Sequence, residues 1–282
     1  MTSLREQKWA FDGRRATPFR SGEHAPILAP VSDGGNPMRS AFVALAFLAL
    51  LPLSGGARAQ NADLLLVLAA DVSRSIDDGE FELQRKGYAA ALSDPRVLAA
   101  IRGGSNGAIA VCFVEWSGAG EQMVVADWTV IHDDEDAGGL STAILAAPRS
   151  FIGRTSISGA IDFAMARFAA ATHHSNRRVI DISGDGTNNS GRPVTEARDQ
   201  ALAEGVTING LAIINDKPNP GYAFHTQPPG GLPEWYRQNV IGGPGAFLRV
   251  VEDFRSFADA MSNKLVSEIV ALVPQERAAS LR

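Results

Sequence analysis

The distribution of apolar and polar residues predicts strands and helices that alternate along the chain. The continuous apolar runs at 64–70 and 108–114 are typical of strands that are buried on both faces. Between them, the segment Asp78–Leu92 places apolar residues on one helical face, and Asp94-Pro95 is expected to end that helix. The start of the domain therefore reads as a strand, a helix and a second strand.

The same two periodicities recur toward the carboxyl end of the chain. Strands that are joined by helical crossovers form parallel sheets with helices on both faces. We therefore expect an α/β fold, with a doubly wound, mostly parallel sheet in a single domain. The further predicted strands lie at 122–130, 178–183, 206–214 and 246–251, and the further predicted helices follow Thr155 or cover 195–204 and 254–269.

The two ends of the chain differ in composition from this domain. Residues 1–37 are rich in Arg, Gly and Pro without apolar periodicity, which indicates a disordered segment or a mis-called extension of the reading frame. Residues 38–59 combine a positive charge, a short apolar run and an Ala-x-Ala end, the three parts of a signal peptide. We therefore expect export to the periplasm or the cell exterior, a domain at 60–273 and a frayed tail at 274–282.

Composition narrows the range of functions. Apolar residues make up 45% of the chain and charged residues 20%, as in an ordinary globular protein. The net charge of −5, without a dense basic run, gives no reason to expect a nucleic-acid partner. The single cysteine, Cys112, rules out an internal disulfide, and its place in an apolar run predicts a buried thiol.

The segment 215–245 interrupts the alternation of strands and helices. It is rich in Pro and Gly and is interpreted as an insertion into the domain. By topology it lies on or near the carboxyl edge of the predicted sheet. Its aromatic residues, among them Trp235 and Tyr236, fit either a partner site or packing of the segment onto the domain.

The candidate chemistry begins where the first predicted strand ends, at Asp71, Ser73 and Ser75. In a nearly extended chain, side chains at alternate positions point the same way, so these three can converge on one point. Their carboxylate and hydroxyl oxygens are hard donors of the kind that Mg²⁺, Mn²⁺ or Ca²⁺ prefers. The alternative is turn and cap chemistry, with Ser75 or Asp77 capping the helix that follows.

Two further loops offer the same kind of oxygen. Thr155 stands just before a predicted helix, where its alternative role is that of an N-terminal turn residue. Asp185 lies between Gly184 and Gly186 after the fourth predicted strand, as a turn former or as a ligand that backbone can approach closely. Because the carboxyl ends of parallel strands meet at one edge, these loops are expected to surround one point.

Two other acidic features have structural explanations. The run 133–136 lacks the residue order of a calcium loop, so we expect it to cap the next helix. Asp181 stands inside a predicted buried strand, where an unpaired carboxylate is costly. We expect Asp181 to be hydrogen-bonded or paired, with Arg178 or a neighbouring strand as the candidate partners.

The candidate residues resemble the metal-ion-dependent adhesion site of von Willebrand factor type A domains. Asp-x-Ser-x-Ser stands at 71–75, the threonine at Thr155 and Asp-Gly at 185–186. In order and spacing the resemblance covers about residues 63–273. The fold it implies is the doubly wound, Rossmann-like sheet already expected.

Two longer runs point to one family within this superfamily, and one residue departs from the usual order of the motif. The runs Arg178–Gly186 and Asn239–Phe247 look like an exported bacterial family of this superfamily with no assigned function. The departure is Gly184, which separates Ser183 from Asp185 where many family members run Ser-Asp-Gly directly. This leaves the reach of Asp185 as a question for the structure.

The resemblance implies binding through a metal. In the family, the hydroxyls corresponding to Ser73, Ser75 and Thr155 bind Mg²⁺ or Mn²⁺ directly, with Ca²⁺ as an alternative, and the carboxylates matching Asp71 and Asp185 act through water. Because the ligands that bind the cation directly are neutral, its positive charge is poorly compensated. A vacant coordination position can then attract a carboxylate of a partner protein. We expect an exported module, without an integral membrane span in its mature form, that binds an acidic residue of a protein partner.

Two alternative functions stay open on the sequence. A scaffold of the same fold could bind its partner without metal. A Mg²⁺-dependent phosphatase-type hydrolase would use Asp71 as nucleophile, as in the haloacid dehalogenases, but these need an Asp two positions on, where Ser73 stands. The chain has neither a Gly-x-Ser-x-Gly elbow nor a Gly-rich phosphate loop, which favours a non-enzymatic function.

Overall fold

Residues 61–214 and 223–271 are described by the computed structural model and form alternating strands and helices. The expectations for 1–37, 38–59 and 274–282 lie outside these residues. The strands are β1 (Leu64–Asp71), β2 (Ile109–Trp116), β3 (Gln122–Ile131), β4 (Arg178–Gly184), β5 (Thr207–Ile213) and β6 (Leu248–Val251). The helices are α1 (Asp78–Leu92), α2 (Pro95–Arg102), α3 (Asp134–Ala146), α4 (Ile157–Ala169), α5 (Val194–Ala203), α6 (Ala223–Thr226), α7 (Leu232–Asn239) and α8 (Phe257–Val270).

The six strands form one sheet in the order β3-β2-β1-β4-β5-β6. Every neighbouring pair is parallel except β2 and β3, which are antiparallel. The mostly parallel, doubly wound α/β sheet expected from the sequence is thereby confirmed. Because β1 is flanked by β2 on one side and β4 on the other, the strand order reverses beside β1, at the point where open α/β sheets place their sites.

Both faces of the sheet are covered, which explains the uninterrupted apolar sequence of β1. Alternate β1 residues face opposite sides: Leu66 and Leu68 join one cluster with Tyr88 of α1 and Met261 of α8. Val67 joins the other cluster, together with residues of α4, α5 and α7. Within the described ranges, no helix is both long and apolar enough to cross a membrane.

The predicted buried thiol is confirmed on the second of these faces. Cys112 lies on β2 and is fully buried among the apolar side chains that pack on α4. Burial raises the pKa of its thiol to about 11. A thiol that stays protonated at neutral pH behaves as a small apolar side chain.

The structure adds one helix that was not predicted and confirms the expected cap of another. Asp94-Pro95 ends α1 as predicted, but it also starts α2, a helix that the sequence reading missed: Asp94 caps it and Pro95 occupies its first turn. The acidic run caps α3 as expected, because the Asp133 carboxylate accepts the backbone N–H groups of Glu135 and Asp136.

The partner of Asp181 corrects one expectation. Asp181, buried in β4, lies 2.7 Å from Lys264 Nζ of α8, whereas Arg178 contacts the carbonyl of Glu204. Lys264 also lies 2.5 Å from Glu268, so one buried ammonium serves two buried carboxyl groups. The expected pairing of Asp181 is therefore confirmed, but the candidate partners were wrong, because the Asp181 side chain faces α8 in the helix layer.

This buried cluster should make stability depend on pH. Burial raises the pKa of Asp181 from an ordinary 3.8 to about 7, although Lys264 opposes the shift. A carboxyl whose pKa is higher in the folded state stabilises the fold below its unfolded pKa, and this contribution is lost as pH rises through the folded pKa. The free energy of unfolding of the wild type relative to Asp181→Asn should therefore fall from pH 4 to pH 7.

Urea unfolding at several pH values would measure that difference. Titrating groups outside this cluster are common to both proteins and cancel in the comparison. The same substitution at exposed Asp199 controls for surface charge. A wild-type minus Asp181→Asn difference that stays constant with pH would refute the account of this cluster.

Candidate metal centre

The structure brings all five candidate side chains together at the carboxyl edge of the sheet. The Ser75 hydroxyl donates to Asp185 Oδ1 at 2.6 Å, and Ser73 Oγ lies 3.2 Å from Ser75 Oγ. The Thr155 hydroxyl donates to Ser73 Oγ at 3.1 Å. Asp71 joins the group because its Oδ1 accepts the Ser73 backbone N–H at 2.7 Å. Three loops that are distant in sequence thus form one connected group of oxygen atoms.

Strand β1 and helix α1 together fix the positions of Ser73 and Ser75. Asp77, not Ser75, caps α1: its carboxylate accepts the Glu80 N–H at 2.8 Å, and Glu80 accepts the Asp77 N–H in return. The capping role that the sequence left open is therefore filled by Asp77. The Ser75 hydroxyl is directed at Asp185 instead.

The turn after β1 is held by Arg149, a residue that the sequence reading missed. Its guanidinium donates to the backbone carbonyls of Val72, Ser73 and Ile76 at 3.0, 3.0 and 2.8 Å. The Ser73 carbonyl also accepts the Ile76 N–H at 3.1 Å, so the guanidinium adds three charge-assisted bonds to a turn that the backbone already closes. No local pattern marks Arg149, because its role depends on contacts with residues far away in the chain.

Two asparagines lock the Thr155 loop to the loop after β4. Asn189 Oδ1 accepts the Thr155 N–H at 3.0 Å, and the Asn189 N–H donates to the Thr155 carbonyl at 2.9 Å. Asn188 Oδ1 accepts the Ser158 N–H at 3.0 Å, at the start of α4. The Asn-Asn pair directly after Gly-Asp-Gly-Thr was a usable signal, since asparagine side chains commonly bond to nearby backbone.

Burial outweighs the positive charge near the two carboxylates, of which Arg149 beside Asp71 is the source. Asp71 and Asp185 are both fully buried, and the Oδ2 atom of each has no hydrogen-bond partner among the described residues. Burial, and then the charge of Asp185, raise the pKa of Asp71 well above its usual range. Burial also raises the pKa of Asp185, to about 6. Buried carboxylates of this kind call for a bound cation or a proton.

The donor set fits a hard divalent cation. It offers the hydroxyl oxygens of Ser73, Ser75 and Thr155 beside two carboxylates, all of which are oxygen ligands. Within the described ranges, no three His, Cys, Asp or Glu side chains form a group that could hold a metal. A cation at this edge would therefore depend on the hydroxyls.

Gly184 lets Asp185 reach the site despite its departure from the family pattern. A Cβ added to Gly184 would lie 2.8 Å from Asp71 Oδ2 and 2.8 Å from the Tyr236 hydroxyl. Both contacts are closer than side-chain carbons tolerate, so the glycine leaves room for a carboxylate and a phenol. Tyr236, from α7 of the insertion, is fully buried here, which shows that this part of the insertion packs onto the domain.

His225, on α6 of the insertion, also contacts the group. Its Nε2 lies 2.9 Å from Thr155 Oγ1, and its Nδ1 lies 3.0 Å from Thr187 Oγ1. Burial and the charge of Arg154 lower the pKa of His225 to about 4, so the imidazole is neutral at pH 7. No role of His225 at this site was predicted from the sequence, because no spacing links it to Thr155.

A cavity of about 310 Å³ opens beside these residues. Ser75, Thr155 and His225 line it, together with the exposed residues Arg74 and Arg154. Two large apolar side chains stand next to lining residues in the sequence: Phe224 is 95% exposed and Ile152 is 59% exposed. The lining of the cavity therefore carries two positively charged side chains, and two exposed apolar residues directly adjoin lining residues along the chain.

Solved structures share this fold at low sequence identity. Proximal thread matrix protein 1 of the mussel byssus has a TM-score of 0.54 and 15% identity over 75% of this chain and 48% of its own. The pilus adhesin SpaC of Lactobacillus rhamnosus GG has a TM-score of 0.52 and 15% identity, over 76% of this chain and 30% of its own. A von Willebrand factor type A protein of Catenulispora acidiphila has a TM-score of 0.50 and 15% identity, over 74% of this chain and 43% of its own. The described fold is that of a von Willebrand factor type A domain, and the chain matches about half or less of each of these longer chains.

A second structure of the thread matrix protein contains a metal-ion-dependent adhesion site (MIDAS) motif that is occupied by zinc. Its TM-score is 0.52, with 14% identity over 75% of this chain and 47% of its own. No curated protein sequence matches the chain. The chain belongs to the family described as protein of unknown function DUF1194, whose family model matches residues 61–273.

Replacement of Gly184 by alanine should destabilise the protein. The added methyl group must displace the Asp71 carboxylate or the Tyr236 hydroxyl, and overpacking of this kind costs about 1–3 kcal/mol. The free energy of unfolding, measured in urea, should fall by that amount. Gly138→Ala in α3 is the matched control, because a Cβ there meets no atom within 4 Å.

A second substitution checks the cause. Tyr236→Phe removes the hydroxyl that the methyl group would meet, so Gly184→Ala should cost less in the Tyr236→Phe background than in the wild type. Equal costs in both backgrounds would show that the methyl group is crowded by Asp71 and not by Tyr236. A Gly184→Ala protein as stable as the wild type would show that the crowding at Gly184 does not matter.

Proposed function

We propose that this chain is an exported von Willebrand factor type A module that binds a divalent cation at the carboxyl edge of its sheet and, through that cation, a protein partner. The observation that carries this proposal is the convergence of three hydroxyls on two buried carboxylates with unpartnered oxygens. The alternative, turn and cap chemistry, does not explain this convergence. Asp77 caps α1 and Ser156 caps α4, so neither Ser75 nor Thr155 is the capping residue of these helices.

The five residues divide into two roles in this proposal. Ser73, Ser75 and Thr155 are neutral and supply hydroxyl oxygens as direct ligands. Asp71 and Asp185 supply negative charge close by and act through water. The bound ion, Mg²⁺ or Mn²⁺ with Ca²⁺ as an alternative, supplies an electrophilic position for an anionic group of the partner.

The mouth of the site supports a protein partner with an acidic residue. Arg74 and Arg154 are exposed beside the cavity and favour an approaching carboxylate by charge. Phe224 and Ile152 add exposed apolar surface, which is enriched at binding sites for proteins. Two proteins of similar structure, a pilus adhesin and a byssal matrix protein, agree with such a role.

The proposal assigns no catalysis to Asp71. A phosphatase-type mechanism requires an ionised, accessible carboxylate as nucleophile. Asp71 is fully buried, and its Oδ1 is occupied by the Ser73 N–H. These features suit a residue that balances the charge of a cation better than they suit a nucleophile.

A metal-independent scaffold is the second candidate function. Its support is that the hydroxyls of Ser73, Ser75 and Thr155 already hydrogen-bond to one another and to Asp185. Such a closed group can persist without a cation if the carboxylates are protonated. Both the metal-dependent module and the metal-independent scaffold are proposed to be exported, with residues 38–59 as the signal peptide.

Calorimetric titration with Mg²⁺ and Mn²⁺ tests the metal site. The wild type should bind one ion, and Asp71→Ala and Thr155→Ala should each weaken binding by about tenfold or more, since both remove a group beside the ion. Thr142→Ala is the matched control, because Thr142 is an exposed threonine on α3 whose hydroxyl donates to the Gly138 carbonyl. Its affinity should equal that of the wild type.

Two outcomes of the titration would contradict the proposal. One is a folded wild type that binds none of Mg²⁺, Mn²⁺, Ca²⁺ and Zn²⁺. The other is binding that Asp71→Ala and Thr155→Ala leave unchanged while circular dichroism shows both variants to be folded. The second outcome would place the ion elsewhere on the protein.

Capture of a partner tests the second half of the proposal. Immobilised wild type should retain a specific protein from periplasmic and extracellular fractions of the source cells in Mg²⁺ and release it in EDTA. The Thr155→Ala protein should retain little of it in either buffer. A protein retained equally in EDTA and by Thr155→Ala would favour the metal-independent scaffold.

A further inference from the structure

His225 is fixed against the candidate metal centre by several contacts. Its Nδ1 lies 3.0 Å from Thr187 Oγ1, and its backbone carbonyl accepts the Thr187 N–H at 3.1 Å. Its ring lies over Gly186, where a Cβ would collide with Nε2. These contacts direct Nε2 at Thr155 Oγ1, 2.9 Å away.

The spacing of Nε2 matches that of the hydroxyl oxygens. Ser75 Oγ and Ser73 Oγ are 3.2 Å apart, Ser73 Oγ and Thr155 Oγ1 are 3.1 Å apart, and Thr155 Oγ1 and His225 Nε2 are 2.9 Å apart. Neighbouring ligands around an octahedral ion, with bonds of about 2.1 Å, are about 3.0 Å apart. The distance of His225 Nε2 from Thr155 Oγ1 is therefore compatible with a fourth donor to the same ion.

The surroundings of His225 suit a metal-binding imidazole. Histidines that bind metals commonly donate their other ring N–H to an acceptor, which fixes the tautomer. With Nε2 on a metal, the proton resides on Nδ1 and donates to Thr187 Oγ1, at the observed 3.0 Å. In the metal-free arrangement the Thr155 hydroxyl donates to Ser73, so Nε2 instead carries the proton and donates to Thr155.

We propose that His225 Nε2 is a fourth protein ligand of this site and makes it favour Zn²⁺ over Mg²⁺. This inference rests on the proposed metal site. Imidazole nitrogen suits zinc and other first-row transition ions, whereas Mg²⁺ prefers an all-oxygen shell. The nearby carboxylates of Asp71 and Asp185 balance the charge of either ion. His225 also takes a coordination position that would otherwise be open to water or to a partner.

Titration of the purified protein with Zn²⁺ and with Mg²⁺ tests this inference. His225→Ala should weaken Zn²⁺ binding by about tenfold or more and change Mg²⁺ binding far less, because only zinc gains from the nitrogen. Thr155→Ala should weaken both. His174→Ala controls for zinc bound by an exposed imidazole, since His174 is an exposed histidine before β4.

X-ray absorption of the zinc-loaded wild type gives a readout that needs no variant. A shell with one imidazole nitrogen and several oxygens is expected, and a shell of oxygens alone would overturn the inference. Thr187→Val is a milder variant that keeps the imidazole but removes the acceptor for Nδ1, and it should weaken Zn²⁺ binding selectively.

The failure of this inference can be separated from the failure of the proposed metal site. Zn²⁺ and Mg²⁺ affinities that both fall in Thr155→Ala but are unchanged, or fall equally, in His225→Ala would overturn the role of His225 and leave the site standing. Affinities that are unchanged in Thr155→Ala would overturn both.

Discussion

The burial of two carboxylates where β1 and β4 end is the constraint on which the rest of the site depends. Asp71 and Asp185 are removed from water, and each keeps one oxygen without a hydrogen-bond partner among the described residues. Such an arrangement costs free energy unless a cation or a proton compensates it. The surrounding groups provide partial compensation: the Ser75 hydroxyl donates to Asp185, and the Ser73 N–H donates to Asp71.

Much of the scaffold could be predicted because its signals are local. An apolar run that stops at Asp71, and helical spacing over 78–92, report burial of the residues themselves, and α1 begins and ends where the pattern indicates. The convergence of the candidate residues followed from one topological rule, that parallel strands end at a shared edge. That these residues bind a metal stays a prediction.

What the sequence did not reveal depends on contacts between distant parts of the chain. Arg149 holds the turn after β1, Lys264 pairs with Asp181 across the helix layer, and His225 reaches Thr155 from an insertion. None of these has a spacing that marks its partner, and a long charged side chain usually points to solvent. Helix α2 was missed for another reason: Asp-Pro was interpreted as an end, although it also begins helices.

The most direct measurement of the central claim is a crystal structure of the protein with Mn²⁺, located by anomalous scattering. The account predicts one strong peak within about 2.4 Å of the hydroxyl oxygens of Ser73, Ser75 and Thr155. A well-ordered crystal with these side chains hydrogen-bonded to one another as they are here, and with manganese elsewhere or absent, would contradict it.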